Sequence, residues 1–149
     1  GDNGRLETIV AEQKVKDRVH FAGRISDAQK TALYRSADIF LQPGRDVDGQ
    51  FEGFGISYIE AGLQGLPGIS GNAGGAPDAV DDGVTGFVVD ATKTENVTEK
   101  LALLAGDKAL YTRMSKAAKA RAEGLLWPAQ VSRILTIAKS PAPINNHNE

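Results

Sequence analysis

Glu52 and Glu60, with seven residues between them, bracket a glycine-flanked turn in the stretch PGRDVDGQFEGFGISYIE, from Pro43 to Glu60. After the turn, Ile56, Ile59 and Leu63 recur at helical spacing, so a helix is predicted over about 55–64. The amino terminus of such a helix offers N–H groups without internal acceptors and a partial positive charge, which suits a phosphate oxygen. Gly53 and Gly55 carry no Cβ, so an anion or a sugar can press onto the main chain there. Ile56 and Ser57 would supply the first helical amides. Glu60, about one turn further in, could accept hydrogen bonds from the vicinal hydroxyls of a ribose, and Glu52 from the hydroxyls of a second sugar. Spacing alone equally admits a plainer alternative, in which both are surface carboxylates and one sits near a helix start for dipole reasons.

The other residues with chemical potential have simpler explanations. Asp46-Val47-Asp48 imitates a D-x-D metal motif and the start of a calcium loop, but the remaining calcium ligands do not follow at the required spacing, and no metal is expected. Arg45 could reach a phosphate from the same loop or be a solvated loop arginine. His20 lies in a β-prone run and His147 in a polar tail, so a histidine triad or metal site is not expected; with no cysteine in the chain, thiolate sites and disulfides are excluded. Arg113, Lys116, Lys119 and Arg121 would form a solvated basic face on one helix, and Trp127 is expected to pack in a core or between domains. Asn96-Val97-Thr98 fits a glycosylation sequon that is expected to be unused. A net charge of −2 on 149 residues points away from nucleic acid, and no apolar run approaches the length of a membrane span.

Strands and helices alternate around these residues. A helix is predicted from Leu6 to about Lys14, then a short strand Val19–Ala22 ended by Gly23. Ser26 and Gln29 form a capping box that opens a helix reaching Ala37. The run 38–42 is apolar enough for a strand buried on both faces. Gly65-Leu66-Pro67 ends the helix after Gly55 and leads into a strand at 68–70, followed by the loop Gly71-Asn72-Ala73-Gly74-Gly75 and a short helix through Val80 with Pro77 in its first turn. A strand at 86–89 and helices at about 94–105, 107–123 and 127–138 complete the pattern, with 141–149 a disordered tail. The fold class is therefore α/β, a Rossmann-like parallel sheet with flanking helices in one domain over 1–140. Both glycine-rich segments fall at strand carboxyl ends, where such sheets bind ligands. The chain opens on a helix rather than on the usual first central strand, so a missing strand, and poor stability without it, are expected.

The segments EGFGISYIE, AGLQGLPGIS and GNAGGAPDAVDDGVTGFVV, with RVHFAGRISDAQKTALYRSADIFLQPG upstream, resemble the C-terminal donor-binding domain of retaining GT-B glycosyltransferases of the family 4, or group 1, type. The resemblance covers residues 1 to about 138. It implies part of a longer two-domain enzyme of glycan biosynthesis that moves a hexose from a nucleotide-sugar to an acceptor with retention. Glu60 would bind the nucleotide ribose, and Glu52 would sit against the transferred sugar as the catalytic residue. Main-chain groups of Gly53, Phe54 and Gly55 would meet the sugar, those of Ile56 and Ser57 the diphosphate, and Gly23, Arg24 and Ile25 would border the base. No cofactor or metal is implied, since upstream Arg and Lys residues of the family neutralise the diphosphate. The implied partners are the nucleotide-sugar and an N-terminal acceptor domain, in cis or as a separate chain, without which this chain is expected to be inactive. A cytoplasmic location is implied, with peripheral association of the full enzyme at the inner face of a membrane left open. Asp78 departs from the family's glutamate, and Gly62 and Gly68 from larger residues. A non-catalytic nucleotide-sugar-binding or scaffolding module of the same fold is the alternative, with a nucleotide-sugar epimerase further off.

Overall fold

The computed structural model describes residues 3–44 and 55–139, and the chain divides into two units, Gly1–Leu33 and Tyr34–Glu149. In the first unit, helix α1 (Asn3–Glu12) is closed off where Lys14 takes a left-handed conformation, φ 54°. A single 3-10 turn, Lys16–Arg18, follows. The predicted strand Val19–Ala22 is not one. The segment is extended, but Val19 and Phe21 are each 39% exposed and no ladder is recorded along it among the described residues. A β-prone sequence holds its strand only when a neighbour takes up its N–H and C=O groups. The capping box is present. Gln29 Oε1 accepts from the Ser26 amide at 2.9 Å, while Ser26 Oγ accepts from the Gln29 amide at 3.3 Å, opening helix α2 (Asp27–Ser36).

The second unit contains a three-stranded parallel sheet in the order β1 (Phe40–Gln42), β2 (Gly68–Gly71), β3 (Gly86–Val89). Helix α3 (Ile56–Leu63) connects β1 to β2, and the short helix α4 (Ala76–Ala79) lies between β2 and β3. Helices α5 (Thr94–Gly106), α6 (Lys108–Gly124) and α7 (Trp127–Lys139) follow. The register pairs Phe40 with Gly68 and Gly86, Leu41 with Ile69 and Phe87, and Gln42 with Ser70 and Val88. Alternation along a strand sends these rungs to opposite faces. On one face Ile69, Phe87 and Val89 pack with Leu104, Leu110 and Met114 of α5 and α6; on the other, Tyr58, Ala76, Ala79 and Val80 pack with Phe40, Ile59 and Val88.

Gly62 allows the closest helix contact, between α3 and α6. A Cβ there would stand 3.1 Å from the carbonyl oxygen of Ala118 and 3.2 Å from Cβ of Ala122. One at Gly68 would stand 3.1 Å from the Tyr58 ring and 3.2 Å from Val80. The void that these two glycines share in lining is only about 10 Å³, so neighbouring groups have closed over the missing side chains. Trp127 is 78% exposed and is not a core residue of this chain. It heads an apolar stripe on α7 with Val131, Ile134 and Leu135, all of them exposed. Among the described residues no helix is long and apolar enough to cross a membrane.

Candidate functional site

At the carboxyl ends of β1 and β2, Gly44 and Gly71 come together. Strand β1 stops where Pro43, with no N–H, ends the ladder. The Gly44 amide turns back to donate to the Gln42 carbonyl at 2.7 Å. A Cβ at Gly71, the last residue of β2, would fall 1.8 Å from the carbonyl oxygen of Gly44. Main chain therefore touches main chain between the two loops, and only glycine fits at position 71 without moving one of them.

The chain re-enters the described region at Gly55, the N-cap of α3, with φ 75°. Glycine is required there on two counts. The left-handed backbone is strained for any other residue, and a Cβ would lie 2.8 Å from the Tyr58 ring. No side chain among the described residues caps α3. The Tyr58 amide closes the first turn on the Gly55 carbonyl at 2.9 Å, whereas those of Ile56 and Ser57 precede any intrahelical acceptor. Ile56 is 69% exposed, so the start of this helix faces outward, with its first amides uncapped by any side chain among the described residues. Glu60 is half-buried four residues after Ile56, one turn along the same side of the helix.

Beneath this turn the structure places two residues that sequence reasoning did not single out. Ser57 Oγ donates to Gln42 Oε1 at 2.7 Å, and the Tyr58 hydroxyl donates to the Gln42 carbonyl. Tyr58 also meets Phe40 edge to face, with centroids 5.1 Å apart. A polar residue closing the apolar run Ile39-Phe40-Leu41 was the available signal for Gln42. Ser70 lies one strand over on the same rung, 0% exposed, and its hydroxyl has no hydrogen-bond partner among the described residues.

The second loop runs from Gly71 to Gly75, with Gly74 at φ 60°. Helix α4 begins at Ala76 with Pro77 in its first turn, as predicted, and ends at Ala79, one residue before the expected Val80. Asp78 is exposed. The segment is anchored from α6. Arg121 donates through Nε to the Ala79 carbonyl at 3.3 Å, through Nη1 to Asp81 Oδ2 at 2.7 Å, and through Nη2 to the Asp78 carbonyl. Arg121 is thus no member of a solvated basic face. Its guanidinium matches a fork of acceptors left by the end of a one-turn helix, where carbonyls lack internal donors.

Gly55, Ile56, Ser57 and Glu60 therefore gather at one helix start, at the predicted end of the sheet. Arg24, exposed, and Ile25, half-buried, follow Gly23 (φ 61°) in the first unit. Glu52, Gly53 and Phe54 lie outside the described residues, as do Arg45, Asp46, Asp48, His147 and the predicted tail 141–149. Among the described residues no three His, Cys, Asp or Glu side chains cluster as metal ligands would. Two titrations are shifted. Hydrogen bonds from the Thr92 hydroxyl and amide hold the Asp90 carboxyl below its usual range, and burial, with a smaller contribution from Asp38, pushes the Tyr111 phenol up.

Known proteins are similar to this chain in sequence and fold. The chain is 36% identical over 120 residues to a GDP-mannose-dependent α-(1-6)-phosphatidylinositol monomannoside mannosyltransferase from Mycobacterium tuberculosis, covering 76% of this chain and 30% of that protein. It is 32% identical over 127 residues to a D-inositol 3-phosphate glycosyltransferase from Streptomyces avermitilis, covering 85% of this chain and 26% of that protein. Sucrose-phosphate synthase from Thermosynechococcus elongatus superposes with a TM-score of 0.75 at 28% identity, covering 90% of this chain and 34% of the other. Anabaena HepE, solved in complex with UDP and glucose, superposes with a TM-score of 0.75 at 21% identity, over 91% of this chain and 35% of its own; at that identity the likeness is one of fold. The chain thus spans about a third of the length of these proteins, and its α/β architecture is that of GT-B glycosyltransferases. With residues 1–121 matching the family throughout, this chain belongs to the glycosyl transferases group 1.

Proposed function

We propose that this chain is the donor-binding part of a GT-B hexosyltransferase that works with retention at the anomeric carbon. The observation that carries the proposal is the outward-facing start of α3. Gly55 turns the chain in a left-handed conformation, no side chain among the described residues caps the helix, and Glu60 follows one turn on. Amides at a helix start suit a diphosphate, and a carboxylate one turn in suits a ribose diol. Glu52, Gly53 and Phe54 would meet the transferred sugar, with Arg24 and Ile25 at the base. The leaving diphosphate would be stabilised by positioned amides together with cations outside this chain, without a metal. The acceptor side would come from a further domain, in cis or as a separate chain, and the full enzyme would be cytoplasmic or at the inner face of a membrane.

The test is a ligand titration of the intact protein, starting with GDP-mannose, the donor named for the mycobacterial relative, and UDP-glucose. A donor at 100 times its dissociation constant should stabilise by about 2.7 kcal/mol. Glu60→Ala should abolish most of that shift. Glu52→Ala should abolish transfer while leaving a folded protein, whereas a scaffolding module would be indifferent to it. Retention is read from the anomeric configuration of the product. If no nucleotide-sugar shifts the melting curve, the proposal fails.

A further inference from the structure

Hydrogen bonds from Tyr58, Gly44 and Ser57 converge on Gln42, the last residue of β1. Its carbonyl accepts from the Tyr58 hydroxyl and from the Gly44 amide, and its side-chain oxygen accepts from Ser57 Oγ at 2.7 Å. The first and third donors belong to the first turn of α3, and the second begins the loop whose carbonyl abuts Gly71. Because the Ser57 proton is committed to Gln42, that hydroxyl has none to give an anion, and the main-chain amides of Ile56 and Ser57 remain as the donors on offer. The tying group is also neutral. A carboxylate in its place would accept the same hydrogen bond, but its negative charge beside the helix start would oppose an incoming anion.

We infer that Gln42 is a positioning residue for the donor diphosphate, resting on the function proposed above: its amide fixes the first turn of α3 against β1 while keeping that turn free of negative charge. A side chain that only braced Ser57 would keep its acceptor oxygen in Gln42→Glu and lose it in Gln42→Leu, so Gln42→Glu would serve it better. The two roles therefore rank these variants in opposite order.

The experiment uses the intact protein and two probes, GDP and UDP, with affinity measured by calorimetry and folding by thermal melting. Gln42→Leu and Ser57→Ala should each weaken the nucleoside diphosphate roughly threefold to tenfold, and the double variant no further than either alone. Gln42→Glu should weaken it about thirtyfold or more, with the loss shrinking as salt is raised, while melting no lower than Gln42→Leu. Equal or tighter binding by Gln42→Glu than by Gln42→Leu would overturn the inference, as would additive effects of Gln42→Leu and Ser57→Ala. Failure of the wild-type protein to bind either probe would instead remove the proposed function, and this inference with it.

Discussion

On one face of the sheet Ile69, Phe87 and Val89 meet Leu104, Leu110 and Met114, large apolar side chains filling the space to two long helices. On the other, the buried set is Tyr58, Ala76, Ala79 and Val80. Glycine or serine stands there at 68 and 70, the Tyr58 hydroxyl and the Ser57 hydroxyl bond to Gln42, and the buried Ser70 hydroxyl has no partner among the described residues. The first face is held by apolar area, the second by close backbone approach and directed hydrogen bonds. The candidate site belongs to the second. A ligand that reads main-chain amides needs backbone near the surface, and small residues permit that where large ones would hold it away.

Substitutions on the two faces should therefore separate stability from binding. Met114→Ala, at a residue 1% exposed, should lower unfolding stability by about 3 kcal/mol in chemical denaturation and leave donor affinity unchanged. Gly71→Ala should cost about 2 kcal/mol, since its Cβ must displace the Gly44 carbonyl, and unlike Met114→Ala it should weaken the donor in calorimetry as well. Gly106→Ala, with nothing within 4 Å of the new Cβ, is the matched control and should do neither. Arg121→Ala should cost about 1.5 kcal/mol through its lost carbonyl and Asp81 contacts, and Arg121→Lys should not restore it, because a single ammonium cannot span the fork.

Ser70→Ala runs the other way. Removing an unpaired buried hydroxyl should raise stability by about 1 kcal/mol in the same denaturation assay, and a loss would mean that the hydroxyl has a partner in solution. The smallest effect is that of Tyr111. Its folded-state pKa is raised by burial and by Asp38, so the phenol stays protonated longer in the folded chain than in the unfolded one. Its contribution is intact below the usual tyrosine value, about 10, and is lost as pH rises through the folded value. Above about pH 10, wild-type protein should lose stability more steeply with rising pH than Tyr111→Phe.

Much of the architecture was legible in the chain itself. Alternating apolar runs and glycine punctuation located β2, β3 and helices α2 to α7 to within a residue or two, α1 began three residues before the predicted Leu6, and the Ser26–Gln29 box marked the start of α2 to the residue. These are local signals, carried by periodicity and capping chemistry. Val19–Ala22 failed because strand formation is settled by what lies alongside, and a single β-prone run does not report its neighbour. Arg121 was misassigned for the same kind of reason, since its acceptors lie about 40 positions away in the chain. At the site, glycine content and the position of Glu60 were readable. The support from Gln42 to Ser57 was not, because spacing shows which residues share a helix face but not which strand residue waits beneath it.

The contact between Gly44 and Gly71 sets a rule for anyone redesigning this domain. If the proposed donor-binding function holds, the segment between Gly44 and Gly55 is where a changed sugar preference would be sought, starting from β1 and ending at α3. Any graft whose partner scaffold carries a side chain at the position of Gly71 would arrive with an incompatible trajectory, since the Gly44 carbonyl already occupies that volume. The rule runs one way: a Cβ at position 44 would meet nothing within 4 Å, so position 44 can be varied while position 71 is held as glycine. A library that varies position 71 would lose members at the folding step.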